Sequence, residues 1–594
     1  MDWSRISLCA CIILIFCTGF LYYPKWKQSG TEATLSWDAS GYYMYLPATF
    51  IYNDLRQCSF QDEILSSYGP TPDFQQAFKH SSGNYVMKYS IGQAVQFLPA
   101  FLLSHVYASF SSAFSADGFS RPYQLGISIH AFIIAVIGLF VLFKVLRLYF
   151  DDKTVALTLI AITFGSNYLD YAAINGAMTH NGLFTIYALL LFASHRYHKD
   201  PSFKWAAVIG LLVGLASLTR PTEIISILIP LLWGLKWDTI KGRFHFLLNN
   251  RLHLLAAGSI ILVIGSIQLI YWKYSSGEWI VYSYEDQGFS WLRPHIWEGL
   301  FSYKSGWLTY SPMFILILPG IYALRQMHPQ LLLMTLVFIL LFIYIAFAWD
   351  IWWYGGSLGQ RAMVQAYPVI AFPLAAGISF ILQRKWITYL FFIFLFFSII
   401  YNLWLTHHAH RGGLFHAGQM TQEYFWKILG KNEKKEEYLK LLDTDEEHAF
   451  TVDEATLIFK EDFEDEGLSS DCGNPISDEG SLCLNAERQF SAEFKIDIAS
   501  HGGKWIHTST VFHCINKEWN SWQMTQYIVK FYKNDQEIKS RLIRVHRLLH
   551  DGETQSIGFE SQIPEDADTM GILYWNAGSN KTILLDDLKV LLIN

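Results

Sequence analysis

The chain has 594 residues, with 44 Lys and Arg against 51 Asp and Glu, so the formal net charge is −7. Only 16% of the residues are charged and 52% are hydrophobic, whereas soluble domains have about 25% charged residues. This composition excludes a disordered chain and argues against an ordinary cytosolic enzyme. Residues 1–430 hold 27 basic and 20 acidic residues, and residues 431–594 hold 17 basic and 31 acidic ones. The first part is therefore typical of a membrane protein and the second of a soluble domain, and neither indicates a nucleic-acid partner.

Long apolar stretches in the first part predict transmembrane helices, because about 20 mostly apolar residues cross a hydrocarbon core about 30 Å thick. No small-residue cleavage site follows the first stretch, so we expect a retained helix rather than a signal peptide. The fold class predicted for residues 1–425 is a polytopic α-helical membrane domain. Its eleven expected spans are 6–23, 124–147, 155–172, 180–195, 204–219, 223–236, 253–273, 306–323, 330–349, 363–382 and 386–405.

Basic residues indicate the orientation of these helices. With the N-terminus inside, 13 of the 18 Lys and Arg between residues 124 and 406 lie at inner helix ends. This orientation requires that the apolar stretch 91–110, which contains Gln93 and Pro99, is re-entrant or interfacial on the outer face. The sequence therefore predicts a long first outer loop, residues 24–123, and an outer C-terminal region.

Two arginines on the predicted outer face stand out, because a cation at membrane depth is costly and usually marks a function. Arg220 lies in the segment SLTRPTE (217–223), where Pro221 interrupts an apolar run, and Arg361 ends the segment WWYGGSLGQR (352–361). An arginine fork matches a phosphate or pyrophosphate, and glycines allow a backbone to approach a ligand. The alternative is that both side chains reach to lipid headgroups.

Acidic side chains are few on the same face. Asp38 lies in the aromatic segment WDASGYY (37–43), just after the first helix. A carboxylate among apolar and aromatic neighbours can act as a general base. Asp170 and Asp350 also lie on this face. A solvated loop charge is the better explanation for Asp54, Glu285 and Asp286, whereas Asp38 differs from them in its aromatic context.

The ordered set of these segments resembles the GT-C superfamily of integral-membrane glycosyltransferases, which take a sugar from a polyprenyl-phosphate carrier on the outer face of a membrane. The resemblance extends over residues 1–425. The segments that show it are 37–43, 88–99, 210–221 (GLLVGLASLTRP), 305–312 (SGWLTYSP) and 355–361 (GGSLGQR).

The resemblance implies an inverting glycosyl transfer in which Asp38 is the general base and Arg361 and Arg220 bind the donor phosphate. The side chains that it implies in substrate binding are Tyr42, Asp170, His180, Trp352, Trp353, Tyr354 and Gln360. The implied partners are a lipid-linked sugar donor, a glycan, lipid or protein acceptor, and the membrane lipids. The implied location is the bacterial inner (cytoplasmic) membrane, with the N-terminus cytoplasmic, the C-terminal domain periplasmic and a role in glycan biosynthesis of the cell envelope.

The sequence departs from the family where a metal site would be expected. Members often have Asp-Glu in the first loop, but Ala39 follows Asp38, and the loop LDYAAINGAMTH (169–180) has no Asp-x-Asp motif. We therefore assign no cofactor, and a divalent metal stays open without support from a two-carboxylate motif. Four histidines after the last span have spacing that could bind a metal, but a solvated linker explains them better: His407, His408, His410 and His416.

The remainder of the chain has a different pattern. Residues 426–452 indicate a linker or helix, and residues 453–594 predict an all-β sandwich, since about nine short strands at this spacing are typical of one. The candidate strands are 455–460, 482–486, 490–498, 505–514, 525–533, 536–546, 555–560, 570–576 and 581–592.

The opening KEDFE (460–464) and the closing LLDDLKV (584–590) of this region resemble jelly-roll carbohydrate-binding or galactose-binding-like domains. A structural cap or a protein-docking module explains them equally well. Cys472 and Cys483 could pair in an oxidising compartment.

Two other classes of function are open for the whole chain. A membrane transporter often has internal repeats, but no convincing repeat relates the two halves, and the unusual charges lie on one face. A non-catalytic membrane scaffold that displays a glycan-binding domain is the second alternative. Turnover of a lipid-linked sugar that is lost when Asp38 is changed separates the glycosyltransferase from both.

Overall fold

The computed structural model describes residues 2–236, 240–284, 287–439, 441–443, 449, 455–464, 472, 474–477, 480–549 and 551–593. The chain divides into two compact units, Met1–Arg411 and Gly412–Asn594. Each unit is considered by itself below.

The first unit is helical, as the sequence predicts. Within the described residues, six helices are long and apolar enough to cross a membrane, and three shorter helices are also apolar. All eleven predicted spans are helical over most of their length. The fold class is therefore confirmed, whereas the number of spans stays a prediction. The helices are α1 (Trp3–Phe16), α2 (Trp37–Tyr43), α3 (Tyr45–Phe50), α4 (Gln61–Tyr68), α5 (Gly92–Ser109), α6 (Arg121–Leu146), α7 (Asp152–Phe164), α8 (Tyr168–Ala173), α9 (Thr179–Lys199), α10 (Phe203–Thr219), α11 (Leu228–Leu232), α12 (Ile240–Asn249), α13 (Arg251–Ser276), α14 (Ile296–Phe301), α15 (Trp307–Tyr310), α16 (Ile317–Met327), α17 (Pro329–Ala348), α18 (Tyr367–Leu382) and α19 (Lys385–His407).

Three of the apolar helices begin with a tighter 3₁₀ segment. These segments are Pro221–Ile227 before α11, Pro312–Leu316 before α16 and Arg361–Ala366 before α18. Proline suits the first position of such a segment because its φ is fixed and it has no N–H to leave unpaired. Two of the three segments adjoin or contain the arginines singled out above, so the interrupted helix starts position these cations.

The segment predicted as the first outer loop, residues 24–123, is folded, which the sequence did not indicate. It contains α2 to α5 and an antiparallel hairpin of β1 (Ala77–Lys79) and β2 (Tyr85–Met87). An apolar core stabilises it, which includes the fully buried Tyr43 from the loop and Ile127 and Tyr271 from α6 and α13. The stretch predicted as re-entrant forms α5, whose Gln96 Nε2 donates to Thr219 Oγ1 at 3.0 Å. The loop is thereby tied to the end of α10, next to Arg220.

The second unit confirms the predicted β region. Its strands within the described residues are β3 (Ala455–Glu461), β4 (Leu482–Leu484), β5 (Phe494–Asp497), β6 (Trp505–Cys514), β7 (Gln526–Lys533), β8 (Gln536–Arg544), β9 (Thr554–Gln562), β10 (Thr569–Trp575) and β11 (Ile583–Ile593). One sheet has the order β5–β10–β7–β8, and the other has the order β3–β11–β6–β9 with β4 paired to β11. Both sheets contribute to one apolar core, in which the rings of Phe512 and Tyr527 lie 5.8 Å apart. Cys472 and Cys483 form a disulfide, and two short helices, α20 (Gln422–Ile428) and α21 (Glu436–Leu439), precede the strands.

Candidate active site

Asp38 lies at the start of α2, with two hydrogen-bond donors on its carboxylate. Tyr89 OH donates to Asp38 Oδ1 at 2.8 Å, and Arg361 Nη2 donates to Asp38 Oδ2 at 2.8 Å. The helix begins at Trp37, which has a φ of +48°, and Gly41 one turn later lies against the Tyr89 ring. Because each oxygen accepts a bond from a different segment, the carboxylate is held in one orientation.

Arg361 contacts Asp38, although the two residues lie 323 positions apart in the sequence. It is the first residue of the 3₁₀ segment before α18, and its side chain is 17% exposed, against 25% for Asp38. Its Nε is buried and has no hydrogen-bond partner among the described residues. One edge of the guanidinium is therefore used by Asp38, and a donor remains for another acceptor.

Arg220 lies where α10 ends. Its backbone is extended, with a φ of −145°, immediately before the 3₁₀ segment that starts at Pro221. The Arg220 guanidinium carbon lies 5.4 Å from the centroid of the Tyr354 ring, and Tyr354 OH donates to Ala346 O at 2.9 Å. The aromatic face holds the cation in place without neutralising its charge.

These groups line one cavity of about 460 Å³. Its polar wall includes Asp38, Tyr42, Lys88, Tyr89, His180, Arg220, Glu223, Tyr354, Arg361 and Gln365. Its apolar wall includes Trp272, Ile280, Phe342, Ile345, Trp349 and Ile351. The cavity therefore offers cations and the carboxylates of Asp38 and Glu223 beside an extensive apolar surface.

Three residues of this polar wall form a buried chain of hydrogen bonds. Glu223 accepts bonds from Tyr187 OH and from Gln365 Nε2, each at 2.6 Å. His180 Nδ1 lies 2.8 Å from Gln365 Oε1. Glu223, Gln365 and His180 are at most 2% exposed, so their bonds to one another replace bonds to water.

Two tyrosines of the outer loop surround Asp38. The rings of Tyr42 and Tyr89 lie 4.5 Å apart. Burial, followed by the charge of Asp38, raises the pKa of Tyr89 well above its usual value and raises the pKa of Tyr42 in the same direction. The Tyr89 hydroxyl therefore keeps its proton and stays a donor to the carboxylate.

Six of the ten predicted site residues lie together at this cavity: Asp38, Tyr42, His180, Arg220, Tyr354 and Arg361. The other four are not part of its lining. Asp170 is fully buried and accepts bonds from His410 Nε2 at 2.5 Å and from Asn175 Nδ2 at 2.8 Å.

Trp352, Trp353 and Gln360 lie in the loop before Arg361. Gln360 Nε2 donates to Trp352 O at 2.9 Å, and Lys304 Nζ lies 3.6 Å from the centroid of the Trp353 ring. These contacts hold the loop to itself and to Lys304. Glu285 and Asp286, interpreted above as loop charges, lie outside the described residues.

Sequence reasoning missed Tyr89, Glu223 and Gln365. Tyr89 lies in the segment 88–99 that was quoted for the resemblance, so its place could have been anticipated. Glu223 and Gln365 lie near the starts of apolar stretches, where a polar residue is ordinary. Only the fold brings together the 3₁₀ segments before α11 and α18, in which these two residues lie.

Among the described residues, no group of three or more His, Cys, Asp or Glu side chains lies close enough to hold a metal ion. Of the juxtamembrane histidines in the first unit, His407 Nδ1 lies 2.5 Å from Tyr22 OH, and His410 bonds Asp170. Both rings therefore join the end of α19 to other parts of the first unit.

Residues 113–272 match the family model described as dolichyl-phosphate-mannose-protein mannosyltransferase. No curated protein matches the chain. The match confirms, for this part of the chain, the resemblance to membrane glycosyltransferases that the sequence indicated.

Solved structures that resemble the chain include two membrane enzymes. The Archaeoglobus fulgidus oligosaccharyltransferase is 12% identical with a TM-score of 0.41, and the match covers 72% of this chain and 58% of that one. ArnT from Cupriavidus metallidurans bound to undecaprenyl phosphate is 15% identical with a TM-score of 0.38, and the match covers 64% of this chain and 60% of that one. The chain thus spans about three fifths of the length of these two enzymes. A family 16 carbohydrate-binding module is 13% identical with a TM-score of 0.16, and the match covers 22% of this chain and 98% of that one.

Proposed function

We propose that the chain transfers a glycosyl group from a polyprenyl-phosphate-linked donor to an acceptor hydroxyl on the outer face of the membrane, with inversion at the anomeric carbon. The observation that supports this most is the cavity in which one anchored carboxylate, Asp38, lies beside two guanidinium groups and an apolar wall. This combination matches the three parts of such a donor: sugar, phosphate and isoprenoid.

Asp38 is the general base of the proposed reaction. It takes the proton of the acceptor hydroxyl as the acceptor oxygen bonds to the anomeric carbon. The bond from that carbon to the phosphate oxygen breaks, and polyprenyl phosphate leaves. A positioned base of this kind contributes about 10²- to 10⁴-fold to a rate.

Arg361 and Arg220 receive the charge that develops on the leaving phosphate. Arg361 bonds Asp38 through Nη2, while its buried Nε has no partner among the described residues. A phosphate on this guanidinium would compete with Asp38 and release Oδ2 for the acceptor hydroxyl. Donor binding would thus prepare the base, so we expect the donor to bind before the acceptor.

The apolar wall of the cavity is the proposed place for the first isoprene units of the donor. Phe342, Ile345 and Ile351 offer an aliphatic and aromatic surface next to the guanidinium groups. The position of this surface at the ends of apolar helices suits a ligand that stays anchored in the bilayer. The acceptor in this proposal is a glycan, a lipid or a protein at the periplasmic side of a bacterial inner membrane.

The test compares three variants in membranes supplied with radiolabelled lipid-linked sugars. Asp38→Asn and Arg361→Gln should each lower transfer at least about a hundredfold, because they remove the base and a phosphate ligand. Glu63→Gln is the control, since Glu63 is an exposed carboxylate on α4 of the same loop. Transfer by Asp38→Asn at the wild-type rate would refute the proposal.

A further inference from the structure

His180 has one ring nitrogen occupied by the protein and the other left for a ligand. It lies at the start of α9 and lines the cavity. Its Nδ1 lies 2.8 Å from Gln365 Oε1. Among the described residues, none forms a hydrogen bond with its Nε2. The question is which of the two nitrogens holds the proton.

The partners of Gln365 answer this. Gln365 Nε2 donates to Glu223 Oε1, and Tyr187 OH donates to Glu223 Oε2. Both oxygens of Glu223 are therefore acceptors of hydrogen bonds, and the cations of Arg220 and Arg361 line the same cavity. A carboxylate cannot donate, and therefore the amide nitrogen of Gln365 must face it.

With its nitrogen on Glu223, the amide turns its oxygen toward His180. An amide oxygen accepts only, so His180 Nδ1 must hold the proton. In the neutral ring the lone pair then lies on Nε2, which makes Nε2 an acceptor. Such a nitrogen attracts a hydroxyl and repels a phosphate oxygen.

We propose that Glu223 and Gln365 fix the tautomer of His180 so that its Nε2 accepts a hydrogen bond from a hydroxyl of the donor sugar. This makes His180 a specificity-determining residue and Glu223 and Gln365 positioning residues. The sugar is assigned rather than the acceptor because Arg220 and Arg361 line the same cavity as His180, and the sugar is bonded to the phosphate that these arginines are proposed to bind. The inference rests on the proposed function.

Two isosteric variants test the chain of bonds. In Glu223→Gln, the new amide donates to Gln365 Oε1 and reverses the Gln365 amide, so that its nitrogen faces His180 Nδ1 and the ring proton moves to Nε2. In Glu223→Gln combined with Gln365→Glu, an oxygen that can only accept again faces His180, here from the carboxylate at position 365, and the proton returns to Nδ1. Neither change alters the volume of the side chains.

The first readout is the nitrogen NMR spectrum of histidine-labelled full-length protein in lipid, with the His180 signals assigned by their loss in His180→Gln. We expect a bare Nε2 in the wild type, a protonated Nε2 in Glu223→Gln and a bare Nε2 in the double variant. A protonated Nε2 in the wild type, or the same tautomer in all three proteins, overturns the proposal that Glu223 and Gln365 fix the tautomer of His180.

The second readout is donor kcat/KM with the radiolabelled lipid-linked sugar that the wild type turns over. Glu223→Gln should lower it about tenfold or more, because an acceptor becomes a donor facing the sugar hydroxyl, and the double variant should restore it to within about threefold of the wild type. Suppose that Asp38→Asn abolishes transfer, but that Glu223→Gln leaves donor kcat/KM unchanged or changes only the KM of the acceptor. The sugar assignment is then overturned, and the proposed function stands. If wild type and Asp38→Asn alike transfer no sugar, the proposed function fails, and the sugar assignment fails with it.

Discussion

Gly41→Ala should impair catalysis without touching a charged residue. A methyl group at position 41 would lie 2.4 Å from the Cδ2 and Cε2 atoms of the Tyr89 ring, whereas carbon atoms pack at about 3.5–4.0 Å. The ring must therefore move by about 1 Å or more. Tyr89 OH lies 2.8 Å from Asp38 Oδ1, so this shift breaks the bond that orients the carboxylate.

The size of the effect follows from that bond. A hydrogen bond to a charged group contributes about 1.5–3 kcal/mol, and about 1.4 kcal/mol corresponds to a factor of ten in rate. If the bond serves to orient Asp38, Gly41→Ala lowers the rate constant of transfer by about 10- to 100-fold. The assay is single-turnover transfer of a labelled lipid-linked sugar in proteoliposomes.

Two controls separate this effect from loss of folding. Gly258→Ala adds the same methyl group in α13, where no atom lies within 4 Å of the new carbon, and should transfer at the wild-type rate. Tyr89→Phe should have an effect similar to that of Gly41→Ala, and the double variant should be no slower than either. Additive effects in the double variant, or a wild-type rate for Gly41→Ala, would refute the reasoning.

Three further predictions concern stability. Gly320→Ala should lower the melting temperature of the detergent-solubilised protein, because its methyl group would lie 1.9 Å from a backbone oxygen of α18. Overpacking of this kind costs about 1–3 kcal/mol. Gly265→Ala is the control and should leave the melting temperature unchanged, since no atom lies within 4 Å of its methyl group. Replacing both Cys472 and Cys483 by Ser should destabilise the second unit by about 3 kcal/mol, measured by chemical unfolding, and equal midpoints would contradict this. Burial holds the pKa of His546 at about 4, below the value of about 6.5 in an unfolded chain. The stability of the second unit should therefore fall as the pH decreases from about 6.5 toward 4. In thermal melts, His546→Gln should make the stability less dependent on pH over this range.

The β region and the cations of the site could be predicted from the sequence for the same reason. Each depends on a pattern within a short stretch of residues. In β6 buried and half-buried residues alternate along all ten positions, and such alternation is visible in the letters themselves. Asp38, Arg220 and Arg361 stand out because charges are rare in the membrane part of the chain. Sorting them by side of the membrane was enough to group them.

The outer loop and the polar chain in the cavity wall could not be predicted in this way. Helices α2 to α4 have only six to eight residues each, too few for a periodic pattern to emerge. Glu223 and Gln365 are 142 positions apart, and their pairing depends on how the fold places the 3₁₀ segments before α11 and α18. Asp170 was favoured by its place in the sequence, but in the structure it contacts His410 instead of lining the cavity.

The most direct test of the central claim measures donor binding and transfer in the same preparation of Asp38→Asn. The side chain keeps its size and can still bond Tyr89, while it can no longer accept a proton. We expect the variant to bind the labelled polyprenyl-phosphate sugar with wild-type affinity and to transfer it at least about a hundredfold more slowly. Transfer at the wild-type rate would contradict the assignment of Asp38 as the base.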